Sequence, residues 1–385
     1  MNIGLALSGG GVRAVAFHLG ALARLARQSL LERVAFLSTV SGGSMAIALV
    51  LGCSGRAWPS SDAFLRQAVP KARHTLTSRD LKRAYLQRLR TSPLMLRRGR
   101  ATILARTLQE LWPSAGALSD LPDSPRWIIN ATCYQTGKNW RFMKERMGDY
   151  TGGYVASPRL PVAEAVAASS AVPGLIGPLK INAPEFDWFR YDGSRARHVH
   201  TPKFRTLTLW DGAVYDNLGV EALFKPDAGY RDGCDFLIVS DASARLASET
   251  RKWRAALRLL DITADQVRGL RARSVVSHLS RNPGTGAYLR IGNTEERIYR
   301  EAGRPEMMGR IGKDSLTRPQ AREAAGVGTT IRRLTPGEFD LLFAHGHQVA
   351  DATLSAYCAD RFQPIPMPHA ETSSGDAGRG RASRA

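Results

Sequence analysis

Two glycine-rich turns near the start of the chain constrain its fold more than any other feature. The first reads Ser8-Gly9-Gly10-Gly11-Val12-Arg13-Ala14 and the second Thr39-Val40-Ser41-Gly42-Gly43-Ser44. Each follows a short apolar run suited to a strand, at 2–7 and 34–40. Each precedes an apolar run suited to a helix, at 15–25 and 45–51. The pattern predicts a βαβα unit whose turns sit at the carboxyl ends of neighbouring strands, where open α/β sheets bind ligands. A serine on a strand-to-helix turn, beside bare backbone N–H groups, is suited to acyl transfer.

The rest of the chain extends this pattern. Strand-like runs fall at 127–132, 140–143, 206–210, 235–240 and 287–291. Helical runs fall at 161–171, 253–273 and 339–357, the last after Thr335-Pro336. The alternation predicts an α/β fold with a mainly parallel central sheet and helices on both faces. One domain is expected over 1–360, with 54–125 a helical, basic insertion or lid within it. Residues 180–205 read as irregular, 300–330 as loop-rich, and 367–385 as a disordered Ser/Gly/Arg-rich tail.

Cys53, Cys133, Cys234 and Cys358 are scattered, without the spacing of a zinc site or a disulfide framework, and read as free thiols of a reducing compartment. No basic segment followed by an apolar core opens the chain, and the most continuous apolar stretch, 45–53, is far short of the roughly 20 residues a spanning helix needs. A cytoplasmic protein is expected. Its net charge of +20 favours an anionic partner, and the charge is concentrated: residues 71–106 hold eleven Lys or Arg against one acid, Asp80. Leucines and a tyrosine interleave there, then Leu94-Met95-Leu96, as in segments that lie on anionic membrane. An ordinary solvated helical face has the same composition.

The first turn also satisfies a loose dinucleotide fingerprint, which would make the chain a nucleotide-dependent oxidoreductase. That reading wants an acid at the end of the second strand, and Ser38-Thr39-Val40-Ser41 stands there instead. No Lys-Ser or Lys-Thr follows the glycines, so a phosphate-cradling loop is disfavoured too. The other reading is an oxyanion cradle, in which Gly9, Gly10 and Gly11 aim N–H groups at a developing charge and Arg13 either adds an anion contact or sits on the surface; a plain tight βα turn is the bland alternative. A basic nucleic-acid-binding protein is a further alternative, without any helix-turn-helix, zinc-finger or aromatic RNA-binding signature to raise it.

Ser41 needs a base. None of His18, His74, His198, His200, His278, His345, His347 or His369 stands where a triad histidine would follow a late strand, and His18 reads as structural within the first helix. Three Asp-Gly dipeptides compete as carboxylate bases: Asp192-Gly193, Asp211-Gly212 and Asp232-Gly233. Only Asp211 ends a clear alternating strand.

The two turns and Trp210-Asp-Gly-Ala-Val-Tyr-Asp-Asn-Leu-Gly219, in that order, resemble the three signatures of patatin-like phospholipases. The segment Ala165-Val-Ala-Ala-Ser-Ser-Ala-Val-Pro-Gly174 and the late helix containing Leu342-Phe-Ala-His-Gly346 resemble the family as well. The resemblance implies a three-layer α/β/α fold and a Ser–Asp dyad without histidine or metal. It makes Ser41 the nucleophile, Asp211 its base and Gly9 to Gly11 the oxyanion donors, with Gly42, Gly43 and Gly212 keeping the elbow and dyad uncrowded. Thr39 departs from the glycine usual at the elbow's first position. The expected activity is phospholipase A or lysophospholipase, cofactor-free and peripheral at an anionic membrane. A soluble carboxylesterase on the same fold is the nearest alternative.

Overall fold

The computed structural model describes residues 1–91, 99–192, 196–244, 246, 255–312 and 315–365. Strand β1 (Ile3–Leu7) runs through the first turn into α1 (Gly11–Ala26), and β2 (Val34–Thr39) runs through the second into α2 (Gly42–Cys53). The strands pair in parallel with Leu7 opposite Thr39, so the turns leave the sheet side by side. β1 is apolar without alternation because it is buried on both faces, as a central parallel strand must be.

Residues 54–125 supply the helices α3 (Ser61–Ala63), α4 (Val69–Ser78), α5 (Leu81–Thr91) and α6 (Arg100–Leu111). The chain then forms β3 (Arg126–Cys133), β4 (Asn139–Phe142), β5 (Arg146–Asp149), β6 (Gly153–Ala156), α7 (Val162–Ser169), β7 (Leu179–Asn182), β8 (Trp188–Tyr191), β9 (Arg197–Val199) and β10 (Thr206–Asp211). After α8 (Ala213–Asp216) come the short hairpin of β11 (Phe224–Lys225) and β12 (Gly229–Tyr230), then β13 (Phe236–Asp241), α9 (Ala255–Arg281), β14 (Gly286–Arg290), α10 (Glu295–Glu301), α11 (Arg318–Gly326) and α12 (Pro336–Tyr357).

The sheet runs β14-β13-β1-β2-β3-β4-β5-β6-β8-β9. Its first five strands are parallel, as expected. From β3 outward it continues as an antiparallel flap. β10 lies antiparallel to β3 and β7, which brings Asp211 opposite Ala131. Residues 180–205 are a correction: this irregular-looking stretch holds most of β7 and all of β8 and β9. Likewise, the loop-rich 300–330 contains α11, capped by Thr317, whose hydroxyl accepts the Gln320 N–H.

Two buried clusters flank the sheet, making three layers. One packs α1, α2 and α12 against it through Phe17, Leu49 and Leu342, and the other joins Val275 of α9 to Leu223, Leu237 and Val239. Among the described residues no helix is long and apolar enough to cross a membrane. In the basic segment, Arg73 pairs bidentately with Asp340 at 2.8 Å and Arg88 pairs with Glu110, while Lys82, Arg83, Leu86 and Arg90 of α5 are exposed. Leu94, Met95, Leu96, Arg97 and Arg98 lie outside the described residues, as does the tail from 366.

Candidate active site

Ser41 stands at the head of α2 with φ 50° and ψ −114°, a conformation L-residues rarely adopt. Such strain costs about 1–3 kcal/mol and persists only where its surroundings hold it. Here they do. The Ser41 N–H donates to Ser169 Oγ at 2.9 Å, its carbonyl accepts the Met45 N–H at 2.9 Å, and the Gly43 N–H donates to Val40 O at 2.8 Å. Thr39 earns its place at the elbow. Its hydroxyl accepts Trp127 Nε1–H at 2.9 Å and lies 2.8 Å from Ser44 Oγ, which is 2.9 Å from Ser169 Oγ. This buried chain of hydroxyls supports the elbow from below.

Asp211 is 2 % exposed. Its carboxylate accepts the Ala213 N–H at 2.8 Å, and the Ser41 hydroxyl lies beside it and pulls its pKa down. Burial pushes its pKa up to about 7, against the opposing pull of those two donors. A Cβ on Gly212 would come within 2.6 Å of Asn130 O, so glycine is required beside the carboxylate. The competing aspartates are elsewhere: Asp192 pairs with His198 at 2.7 Å on the β8–β9 hairpin, and Asp232 is exposed in a loop.

The end of α7 connects the two partners. Ser169 Oγ holds the Ser41 N–H, Ser169 O accepts the Gly212 N–H at 3.3 Å, and Ala171 O accepts the Asp211 N–H at 3.2 Å. Sequence reasoning gave Ser169 no role, although it lies in one of the segments that carry the resemblance.

The glycine turn lies against the elbow, with Gly42 packed on the Gly11 backbone and an ideal Gly9 Cβ 3.2 Å from Ser41 Cβ. Gly9 is a correction as an oxyanion donor, because its N–H is spent on Asn217 O at 3.1 Å. Among the described residues the N–H groups of Gly10 and Gly11 have no acceptor, and they sit at the positive end of α1. Arg13 is a second correction. It is 1 % exposed and turned away from the site. Its Nη1 donates to Val327 O at 2.5 Å, its Nε and Nη2 donate to Ala242 O at 3.2 and 2.9 Å, and Nη2 reaches Thr329 Oγ1 at 3.3 Å. Arg13 therefore clamps the loops that press on the glycine turn.

His18 is structural, as expected: Nε2 meets Ser8 O at 3.0 Å and Nδ1 meets Ser240 Oγ at 2.9 Å. Burial depresses its pKa to about 4, so it is neutral at pH 7. Among the described residues no histidine hydrogen-bonds Ser41 or Asp211.

A cleft of about 400 Å³ opens over Ser41 and Asp211. Val172, Ala213 and Leu246 give it apolar surface, and one wall is α9. That helix is fixed there by Arg268, which donates to Asp241 at the end of β13 at 2.9 Å and, within the helix, to Asp265 at 2.8 Å.

The patatin-like phospholipase profile matches residues 5–224, more than half of the chain. The chain belongs to the patatin-like phospholipase family. That family is one of lipid acyl hydrolases. Among solved structures, this patatin-like chain is similar to human GIVD cytosolic phospholipase A2, with 12 % identity, a TM-score of 0.51, and coverage of 94 % of this chain and 62 % of that one. The same enzyme in complex with the inhibitor methyl gamma-linolenyl fluorophosphonate and terbium chloride matches at 14 % identity and a TM-score of 0.50, covering 94 % and 58 %. The patatin-like chain thus spans about three fifths of the length of those chains, and likeness at this identity concerns the fold. No curated protein matches it by sequence.

Proposed function

We propose that the chain is a serine lipid acyl hydrolase that cleaves acyl esters of glycerophospholipids or lysophospholipids. The observation that carries this reading is the Ser41 hydroxyl next to a buried Asp211 carboxylate in one cleft, beside the unengaged N–H groups of Gly10 and Gly11. Asp211 takes the Ser41 proton as Oγ attacks the ester carbonyl. Gly10 and Gly11 hold the oxyanion. The leaving alcohol takes the proton from Asp211, and an acyl-Ser41 ester remains. Water then attacks that ester with Asp211 again as base, releasing the fatty acid and restoring the hydroxyl. The test is hydrolysis of phospholipid and lysophospholipid vesicles by the protein and by Ser41→Ala, with lipid products identified by mass. Equal product from both proteins overturns the proposal.

The proposal fixes the sign of the pH dependence. Asp211 must be ionised to act as a base, and its pKa is about 7. Initial kcat/KM on a monomeric ester should rise with unit slope as pH increases toward 7 and level off above it. A profile flat from pH 5 to 8 would mean that Asp211 is not the titrating base.

Docking on anionic membrane belongs to the same proposal, supported by the charge of 71–106 and by exposed Lys82, Arg83, Leu86 and Arg90 on α5. Near-surface basic residues contribute about 1 kcal/mol each on anionic membrane. Arg97, Arg98 and Arg100 reversed to Glu should weaken sedimentation with anionic vesicles at low salt and slow hydrolysis there. Turnover of a short-chain monomeric ester should not change. Equal sedimentation of variant and parent would remove this segment from the docking surface.

A further inference from the structure

The antiparallel flap carries a second feature, separate from the Ser41 cleft. Register places Arg141, Gly148, Tyr154, Phe189 and Val199 in one row across β4, β5, β6, β8 and β9. Arg146 lies two residues from Gly148, on the same face. Arg126 shares it too, four residues before Asn130, which pairs with Arg141. This is the face that α9 covers over the parallel strands, but the outer flap is open, and Val199 is 96 % exposed. Arg231, over the Phe36 ring at 5.2 Å, borders the same area, because Phe36 pairs with Arg126.

Four guanidinium groups therefore border one face of the flap with few acids among them. Arg126 pairs with Glu145 at 2.8 Å. Glu221 is held by Arg271 at 2.8 Å and reaches Arg141 only at 3.8 Å. Arg141 Nε is buried with no hydrogen-bond partner among the described residues. Burial lowers the pKa of Arg231, and the charges of Arg126, Arg141 and Arg146 lower it further. Like charges gathered on one face are costly unless anions neutralise them.

We infer that Arg126, Arg141, Arg146 and Arg231 form a binding site for a phosphate dianion, a phosphomonoester or diphosphate, on the open face of the flap. Guanidinium forks match the oxygens of a phosphate, and several can share one such group. The aromatic neighbours favour a compact anion over a single-stranded nucleic acid. Their ring faces are already taken: Arg146 lies over Tyr154 and Tyr191 at 4.8 and 5.3 Å, and Arg197 lies over Phe189 at 4.8 Å. Bases stacking there would have to displace these cations.

The test is calorimetric titration of the full chain with inorganic pyrophosphate, alongside sedimentation with vesicles containing phosphatidic acid. Arg141→Gln with Arg231→Gln should weaken pyrophosphate binding about a hundredfold, at about tenfold per charge-assisted contact. Arg146→Gln provides a second, single variant. Short-chain ester hydrolysis should match the parent in all of them, which reports that they are folded. Loss of pyrophosphate binding with unchanged vesicle binding identifies a soluble phosphate compound, and loss of both identifies phosphomonoester chemistry that a lipid headgroup also supplies. If the parent protein binds neither probe at millimolar concentration, or the variants bind as the parent does, the site does not exist. Oligonucleotide binding that the variants lose, without any pyrophosphate binding, would overturn the inference in favour of nucleic acid.

Discussion

Ser41→Ala and Asp211→Asn are each expected to lower ester hydrolysis by about 10⁴-fold or more, with the double variant little worse than either single one. Groups that act as one unit fail together, because each is useless without the other. The expectation rests on proximity: the Ser41 side chain adjoins the Asp211 carboxylate in one cleft, and no histidine among the described residues stands in for it. Neither substitution should unfold the protein. Ser41→Ala keeps the N–H that Ser169 holds. Asp211→Asn keeps the shape of the side chain and removes a buried carboxylate whose ionised form burial disfavours. Asp192→Asn is the control, since Asp192 sits on a distant hairpin paired to His198, and should retain parental rates. A folded Ser41→Ala protein with parental turnover would eliminate the mechanism. An inactive Asp192→Asn beside an active Asp211→Asn would show that the base was misassigned.

Gly10→Ala and Gly11→Ala are expected to lower kcat by about 10²–10³-fold, the usual loss for one oxyanion donor, with a smaller change in KM. The charge these N–H groups would stabilise exists only in the transition state, so their loss spares ground-state binding. Both positions resist a side chain. Gly10 has φ 146° and a Cβ there would lie 2.8 Å from Ala242 O. Gly11 has φ 63° and faces the backbone of Thr330. A methyl group at either should push the turn off its supports and away from Ser41. Circular dichroism and the melting temperature separate displacement from unfolding. A raised KM with unchanged kcat would make the turn a ground-state binding loop and return it to the nucleotide or headgroup readings.

Much of this was legible in the sequence, for local reasons. The turns at Gly9 and Ser41 are each bounded by apolar runs of strand and helix length, and the structure forms β1, α1, β2 and α2 there. Asp211 stood out among three Asp-Gly pairs because only its strand alternates. Other features depend on distant partners and left no local sign. Arg13 opens a helix beside a glycine turn, as an anion-binding arginine would, but the carbonyls that hold it come from 229 and 314 positions away. Gly9 looks like its two neighbours, and only the fold of the loop after Asp211 brings the Asn217 carbonyl to its N–H. Ser169 meets Ser41 across 128 positions. β7, β8 and β9 are three or four residues each, too short for alternation to emerge from their polar surroundings, and pairing across the flap makes them strands.

The attachment of Ser41, Asp211 and Gly212 to residues 169–171 separates what can move in this site from what cannot. A displacement of the end of α7 would carry Ser41 and Asp211 together and leave their spacing nearly unchanged. The glycine turn hangs from other anchors: Thr330 O, which accepts the Val12 N–H at 2.9 Å, and the Arg13 clamp on Ala242 and Val327. Slippage of that second suspension would leave Ser41 and Asp211 in place and turn the N–H groups of Gly10 and Gly11 away from them. Residues 327–330, remote in sequence from the three signatures, therefore set how the N–H groups of Gly10 and Gly11 are aimed relative to Ser41.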